Sequence, residues 1–257
     1  DPSPCAAAGR PMTVSAALLR VLSRPLAYAA LVLALGVASP RPSVAEAPAV
    51  AAAADLKFAL AELVERYATD TGGAVRVSYG SSGQFARQIA QGAPFELFLS
   101  ADERYVQQLA EAGLTRDAGL PYARGRLALF VPDGSPLAPD ASLADLGAAL
   151  TDGRVQKFAI ANPEHAPYGR AAEEVLRGAG LWEALLPKLV LGENAAQAAQ
   201  FAASGSAQGG LIPLALAVSP ALAGRGRWVA IPGERHAPLR QRMVLLRAAG
   251  PQAEAFY

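Results

Sequence analysis

Apolar and polar positions alternate in two rhythms along the chain, and the two rhythms take turns. "APAVAAAA", from residue 47, is a short apolar run that predicts a strand. In "DLKFALAELVERYATDTG" the apolar residues Leu56, Leu60, Leu63, Val64 and Tyr67 fall on one helical stripe, with Asp55 at the start as an N-cap and Gly72 and Gly73 at the end. "AVRVSY" alternates as a strand, "QFARQIAQG" predicts a helix stopped by Gly92, and "FELFLSA" predicts a strand apolar on both faces. "DERYVQQLAEAG" predicts a helix capped by Asp102 and closed by Gly113. The second half repeats the theme. Its strands are "GRLALFVP", "KFAIAN", "KLVLG", "GGLIPLALA", "GRWVAIP" and "RQRMVLLR". Its helices are "SLADLGAAL", "YGRAAEEVLRGAG" and "NAAQAAQFAASG", the last capped by Asn194. Repeated β-α units of this kind predict an α/β fold with parallel strands. No low-complexity linker separates two independent domains, which suits two lobes whose strands interleave.

The first 47 residues follow a different pattern. Arg20 and Arg24 precede the apolar residues 26–38, and an A-x-A site follows at Ala45–Ala47. That combination reads as a secretory signal peptide, cleaved after Ala45 or Ala47. The apolar run is shorter than the roughly 20 residues a membrane span needs, and Pro40 and Pro42 follow at once. Met12 is the expected start, and the C-terminal "GPQAEAFY" reads as a helix cut short, with sequence expected to continue beyond it.

Composition narrows the function. With 52% hydrophobic and 18% charged residues the chain can build a core, and a formal net charge of +1 with no basic run argues against a nucleic-acid partner. The one cysteine, Cys5, lies in the leader, so the mature chain is expected to have neither a disulfide nor a thiol nucleophile. With only His165 and His236 a metal cluster is not expected, nor is any cofactor.

Four helix starts carry the candidate chemistry: "AAAADL", "GSSGQF", "APYGRA" and "GENAAQ". Each follows a predicted strand, and in open parallel sheets ligands bind beyond the carboxyl ends of strands. A helix N-terminus presents unpaired N–H groups and about half a positive charge, so it receives anions. Taken singly, the serines, Asp55 and Asn194 read far more often as helix caps and Tyr168 as an exposed ring on a turn; the combination carries the anion reading. "GSSGQ" is not the G-x-S-x-G elbow of a hydrolase, because Gln84 stands at its last position. A Ser82–His165 pair remains as an enzyme reading without an evident third member.

Taken in order, "AAAADLKFAL", "YGSSGQFARQIAQGAPFELFLSADERYVQQLAEAGL", "IANPEHAPYGRAAEEVL" and "GENAAQAAQFAASGSAQGG" resemble the periplasmic molybdate-binding proteins, the substrate-binding subunits of molybdate ABC transporters. The resemblance covers about residues 48–257. It implies the type II periplasmic binding protein fold, two α/β lobes around a ligand cleft, with residues 48–124 and 220–257 in lobe 1 and 125–219 in lobe 2. It implies a monomer, not an enzyme, that binds molybdate, with tungstate also accepted, and delivers it to a permease and its ATPase; sulfate is the alternative oxyanion. The effector domain of a regulator is a further alternative, disfavoured by the signal peptide.

Residue by residue, Ser82 falls at the family's binding serine, with Ser81 beside it. Ala195, next to Asn194, falls where a backbone N–H is donated. Tyr168 falls where one branch of the family carries a ligating tyrosine, and Pro213 replaces the tyrosine of the other branch. Asp55 falls where relatives have Ser or Asn. A carboxylate beside a dianion is repulsive, so Asp55 is expected to cap its own helix and leave only backbone donors facing the cleft.

Overall fold

The computed structural model describes residues 46–257. The expectations placed on the leader (Cys5, Met12, the apolar run and the cleavage site after Ala45) lie outside the described residues. From there the chain forms β1 (Ala49–Ala53), a single 3-10 turn (Ala54–Leu56), α1 (Lys57–Thr71), β2 (Arg76–Gly80), α2 (Ser82–Ala90), β3 (Leu97–Ser100), α3 (Glu103–Glu111), β4 (Leu120–Gly125) and β5 (Leu127–Pro132). It continues through α4 (Ala144–Thr151), β6 (Phe158–Ala161), α5 (Pro167–Gly178), α6 (Trp182–Leu185), β7 (Leu189–Gly192), α7 (Ala195–Ala203), β8 (Gly209–Pro213) and α8 (Leu214–Ala217). It ends with β9 (Gly226–Ala230), β10 (Leu239–Leu245) and α9 (Pro251–Phe256).

The strands form two five-stranded sheets, ordered β2-β1-β3-β10-β4 and β7-β6-β8-β5-β9. Both follow one plan. Three strands run parallel (β2, β1, β3 and β7, β6, β8), and two further strands, each antiparallel to its neighbour, complete the sheet. The sheets are therefore mixed rather than purely parallel. The chain enters the second sheet at β5, with only Arg126 between Leu127 and the end of β4 at Gly125. Residues 226–230, expected in lobe 1, belong to the second sheet: β9 pairs with β5 from Ala128↔Ala230 to Pro132↔Gly226, and the chain returns only along residues 231–238. The run "GGLIPLALA" is not one strand. Pro213 has no N–H to continue a ladder, and the chain turns there into α8.

Burial explains the composition of the central strands. β1 and β3 lie inside the first sheet with helices against it, and Val50–Ala53 and Leu97–Ser100 are all buried. Apolar clusters cover its two faces, one around Phe85, Phe98 and Val106, the other around Leu60, Leu97 and Ala253. α2 shows the stripe its sequence predicts, with Phe85, Ala86 and Ile89 inward. The second sheet is built around Phe130, Phe158, Ile160 and Leu176, and its cluster also takes in Ala53 and Ala101 from the strand ends of the first. The two sheets thus meet where β1 and β3 end.

Candidate functional site

At that meeting point lies a small, tightly closed pocket. Ala53, Ala54 and Asp55 follow β1; Gly80, Ser81 and Ser82 follow β2; Ala101 follows β3; Ala166, Pro167 and Tyr168 follow β6; and Ala195 follows β7. Five strand carboxyl ends therefore converge on one small volume. α2, α5 and α7 all begin at its wall; Pro167 opens α5 without an N–H, and the N–H groups of Gly83, Gln84, Gly169 and Gln197 are already bonded, which leaves those of Ser82, Tyr168 and Ala195 to meet a ligand. Neither lysine nor arginine lines it. The chemistry on offer is backbone N–H, hydroxyl and one carboxyl group.

The two serines divide the labour. Ser81 is the N-cap of α2, its Oγ accepting from the Gln84 N–H at 3.3 Å, and the same Oγ lies 2.9 Å from His165 Nδ1. Ser82 is wholly buried, and its Oγ accepts from the Ala101 N–H at 2.9 Å. With its lone pair so engaged, the Ser82 hydroxyl proton is free to donate into the pocket. The serine bonded to histidine is thus Ser81, and the Ser82–His165 pair expected of a hydrolase does not form. The Ser81–His165 contact is not a catalytic constellation either. His165 Nε2 reaches Glu193 Oε2 at 3.5 Å, but that carboxylate is mostly exposed and also accepts from Gln84 Nε2 at 2.9 Å. These groups tie the two sheets together instead. Beside them the Gly83 N–H donates to the His165 carbonyl at 2.9 Å, an approach so close that a Cβ at Gly83 would sit 2.6 Å from that oxygen.

Tyr168 is buried, and its hydroxyl donates to Asp55 Oδ2 at 3.0 Å. Gln241 Nε2 donates to the same Asp55 oxygen at 2.7 Å and to the Tyr168 hydroxyl at 3.0 Å. Asp55 does not cap its helix. It lies within the 3-10 turn that leads into α1, neither segment has a side-chain cap, and its carboxyl turns into the cleft. The physical reason is that the turn places Asp55 past the cap position, where Tyr168 and Gln241 supply donors from two other elements. Burial raises the Asp55 carboxyl above its ordinary value, and the hydrogen bonds from Gln241 and Tyr168 only partly oppose this. Burial also pushes both nearby phenols, Tyr122 and Tyr168, well up, with the Asp55 charge adding to it.

Ala195 lines the pocket as the first residue of α7, but Asn194 does not. The Asn194 side chain is spent as the N-cap, its Oδ1 accepting from the Gln197 N–H at 3.0 Å. One participant escaped the sequence reading. Gln241 is buried on β10 between the outward Arg240 and the half-buried Arg242, so a polar residue on the inward parity of the strand was its only signal. His165 was singled out, but for the wrong serine.

At the rim, Asp102 caps α3 through the Arg104 N–H at 2.9 Å and receives Arg170 Nη2 from α5 at 2.7 Å. Arg170 Nη1 also donates to the Tyr105 hydroxyl at 2.7 Å. Among the described residues no group of three or more His, Cys, Asp or Glu side chains is placed to hold a metal ion, and no helix is long and apolar enough to cross a membrane.

Comparison with known proteins gives three further findings. A family profile described as "Bacterial extracellular solute-binding protein" matches residues 48–257. The molybdate-binding protein ModA of Rhodobacter capsulatus is 37% identical over 228 residues, 88% of this chain and 85% of the relative; that of Azotobacter vinelandii is 38% identical over 210 residues, 80% and 81% of the two chains. The solved structure of the Azotobacter vinelandii periplasmic molybdate-binding protein superposes with a TM-score of 0.71 at 31% identity, covering 81% of this chain and 90% of that one.

Proposed function

The chain belongs to the bacterial extracellular solute-binding protein family, and from that premise we propose that it binds molybdate in the pocket between its two sheets and delivers it to an ABC transporter. The observation that carries this reading is the convergence of three helix N-termini and the Ser82 hydroxyl on a small buried volume that no lysine or arginine lines. Such a site fits a compact, fully deprotonated tetrahedral oxyanion. Donors at fixed positions match its oxygens, and the helix ends supply diffuse positive charge. Asp55, Ser81, Ser82, Tyr168 and Ala195 form the binding set; Asn194 supports it by capping α7.

The bonds across the cleft explain how capture works. Ser81–His165, Gln84–Glu193, Asp102–Arg170 and Asp55–Tyr168 all join the first sheet's elements to the second's. Opening means breaking these bonds while the two connections, at 125–127 and 231–238, act as the hinge. The protein works as a periplasmic monomer, tungstate is accepted with molybdate, and a permease and its ATPase receive the ion. Calorimetric titration with molybdate, tungstate, sulfate and phosphate tests this. Tight binding of the first two and weak binding of the others is expected; preference for sulfate would transfer the site to another oxyanion.

A further inference from the structure

Among the described residues, Asp55 is the one pocket residue whose side chain carries a buried acceptor atom with no hydrogen-bond partner. Its Oδ2 is engaged by Tyr168 and Gln241, while its Oδ1 is buried and has no partner among the described residues. The residue is 4% exposed and shares the pocket wall with Ser81, Ser82 and Tyr168. A bare carboxylate oxygen facing a dianion would combine like-charge repulsion with an unsatisfied buried acceptor. One proton removes both penalties. We propose that Asp55 binds the oxyanion as a carboxylic acid, its Oδ1–H donating to a ligand oxygen, so that a dianion enters together with one proton whenever Asp55 is ionised in the free protein.

The balance is simple. An O–H bond forms on Oδ1, the proton comes from solvent, and no other bond changes. The proposal rests on the oxyanion reading above and deepens it. The groups facing the carboxyl leave it without a cation to keep it ionised. Tyr168 from α5 and Tyr122 from β4 are phenols, and Gln241 from β10 is neutral. Arg124 and Arg126 line a neighbouring hollow together with Asp55 but form no ion pair with it among the described residues. His165 contacts Ser81, not Asp55. Burial acts in the same direction, raising the carboxyl from its ordinary value.

The test is calorimetric titration of the full chain with molybdate from about pH 6 to about pH 9, in buffers of different ionisation enthalpy. The expected result is an affinity that falls toward about tenfold per pH unit at the upper end, with uptake of about one proton. In Asp55→Asn the amide oxygen can keep the Tyr168 and Gln241 bonds while the NH₂ donates to the anion. The pH slope and the buffer dependence should both disappear. A wild-type affinity that is flat across the range without proton uptake, together with a carboxylate rather than a carboxylic-acid infrared band for Asp55 in the complex, overturns the proposal, even should the variant fail to fold. So does a slope that survives Asp55→Asn and vanishes in His165→Gln, which would assign the proton to the imidazole. Absence of binding to molybdate, tungstate and sulfate at every pH defeats the oxyanion reading itself, and the proton with it.

Discussion

Asp55 and Asp102 are both buried, 4% and 6% exposed, and both receive donors from α5, yet the protein treats them in opposite ways. Asp102 sits at the rim against two arginines. Burial would raise its carboxyl, but the side-chain and backbone hydrogen bonds of Arg104, and the charges of Arg104 and Arg170, outweigh it and hold the group below its ordinary value. Asp55 sits in the pocket against a phenol and an amide, and burial wins. The difference shows where the fold puts its cations. Arg104 and Arg170 are spent on Asp102 outside the cleft, where Arg170 ties the two sheets together, and the binding volume is left to neutral donors. A pocket cation would attract any anion, whereas fixed N–H and hydroxyl groups discriminate by the position of each oxygen.

The comparison breaks first at Ser82. Ser82→Ala removes a donor to a charged acceptor, worth about 1.5–3 kcal/mol, so molybdate should bind about one to two decades more weakly by calorimetry. An unchanged affinity would mean that the hydroxyl does not face the ligand. Asp102→Ala should instead cost stability. It deletes the α3 cap, worth about 1–2 kcal/mol in a denaturant melt, and also frees Arg170.

The same pair of aspartates sets opposite pH signs. Because the Asp102 carboxyl is lowered in the fold, its contribution is fully present above its ordinary value near 3.8 and is lost as pH falls through the lowered one. Wild type should therefore lose more stability on acidification than Asp102→Asn. For Asp55, raised in the fold, stability is fullest below 3.8 and declines as pH rises through the raised value, a trend Asp55→Asn should remove. Melting temperature against pH checks both.

Tyr168→Phe sharpens the contrast more gently. It removes one of the two donors that fix the Asp55 carboxyl and should weaken binding by at most about tenfold, the worth of one hydrogen bond between neutral groups, with the fold intact. Wild-type affinity in this variant would reduce Tyr168 to core packing. The smallest effect is expected at Asn194. Serine caps about as well as asparagine, so Asn194→Ser should change stability by only a few tenths of a kcal/mol and leave affinity alone. A large loss of affinity would return Asn194 to the ligand set.

What was legible in the sequence was local. The caps at Ser81, Asp102 and Asn194 need only the residues that follow them, and the alternating periods place every strand that lines the pocket. Asp55 was misread because its partners, Tyr168 and Gln241, lie 113 and 186 residues away, and a carboxylate at a helix start has an obvious local use that competes with the real one. The boundary near 220 failed for a similar reason. Whether β9 joins the first or the second sheet depends on its pairing with β5, about a hundred residues earlier, which no local period records.

The central claim is that a tetrahedral oxyanion sits among Ser82, Asp55 and the N-termini of α2, α5 and α7 with no cation touching it. Diffraction from crystals of the molybdate complex, collected at the molybdenum absorption edge, tests it most directly, because the metal's anomalous signal locates the ion without reference to the chain. The account predicts a single strong peak with ligand oxygens within hydrogen-bond distance of Ser82 Oγ and Asp55 Oδ1. A peak lodged instead against Arg104 and Arg170 at the rim would contradict it.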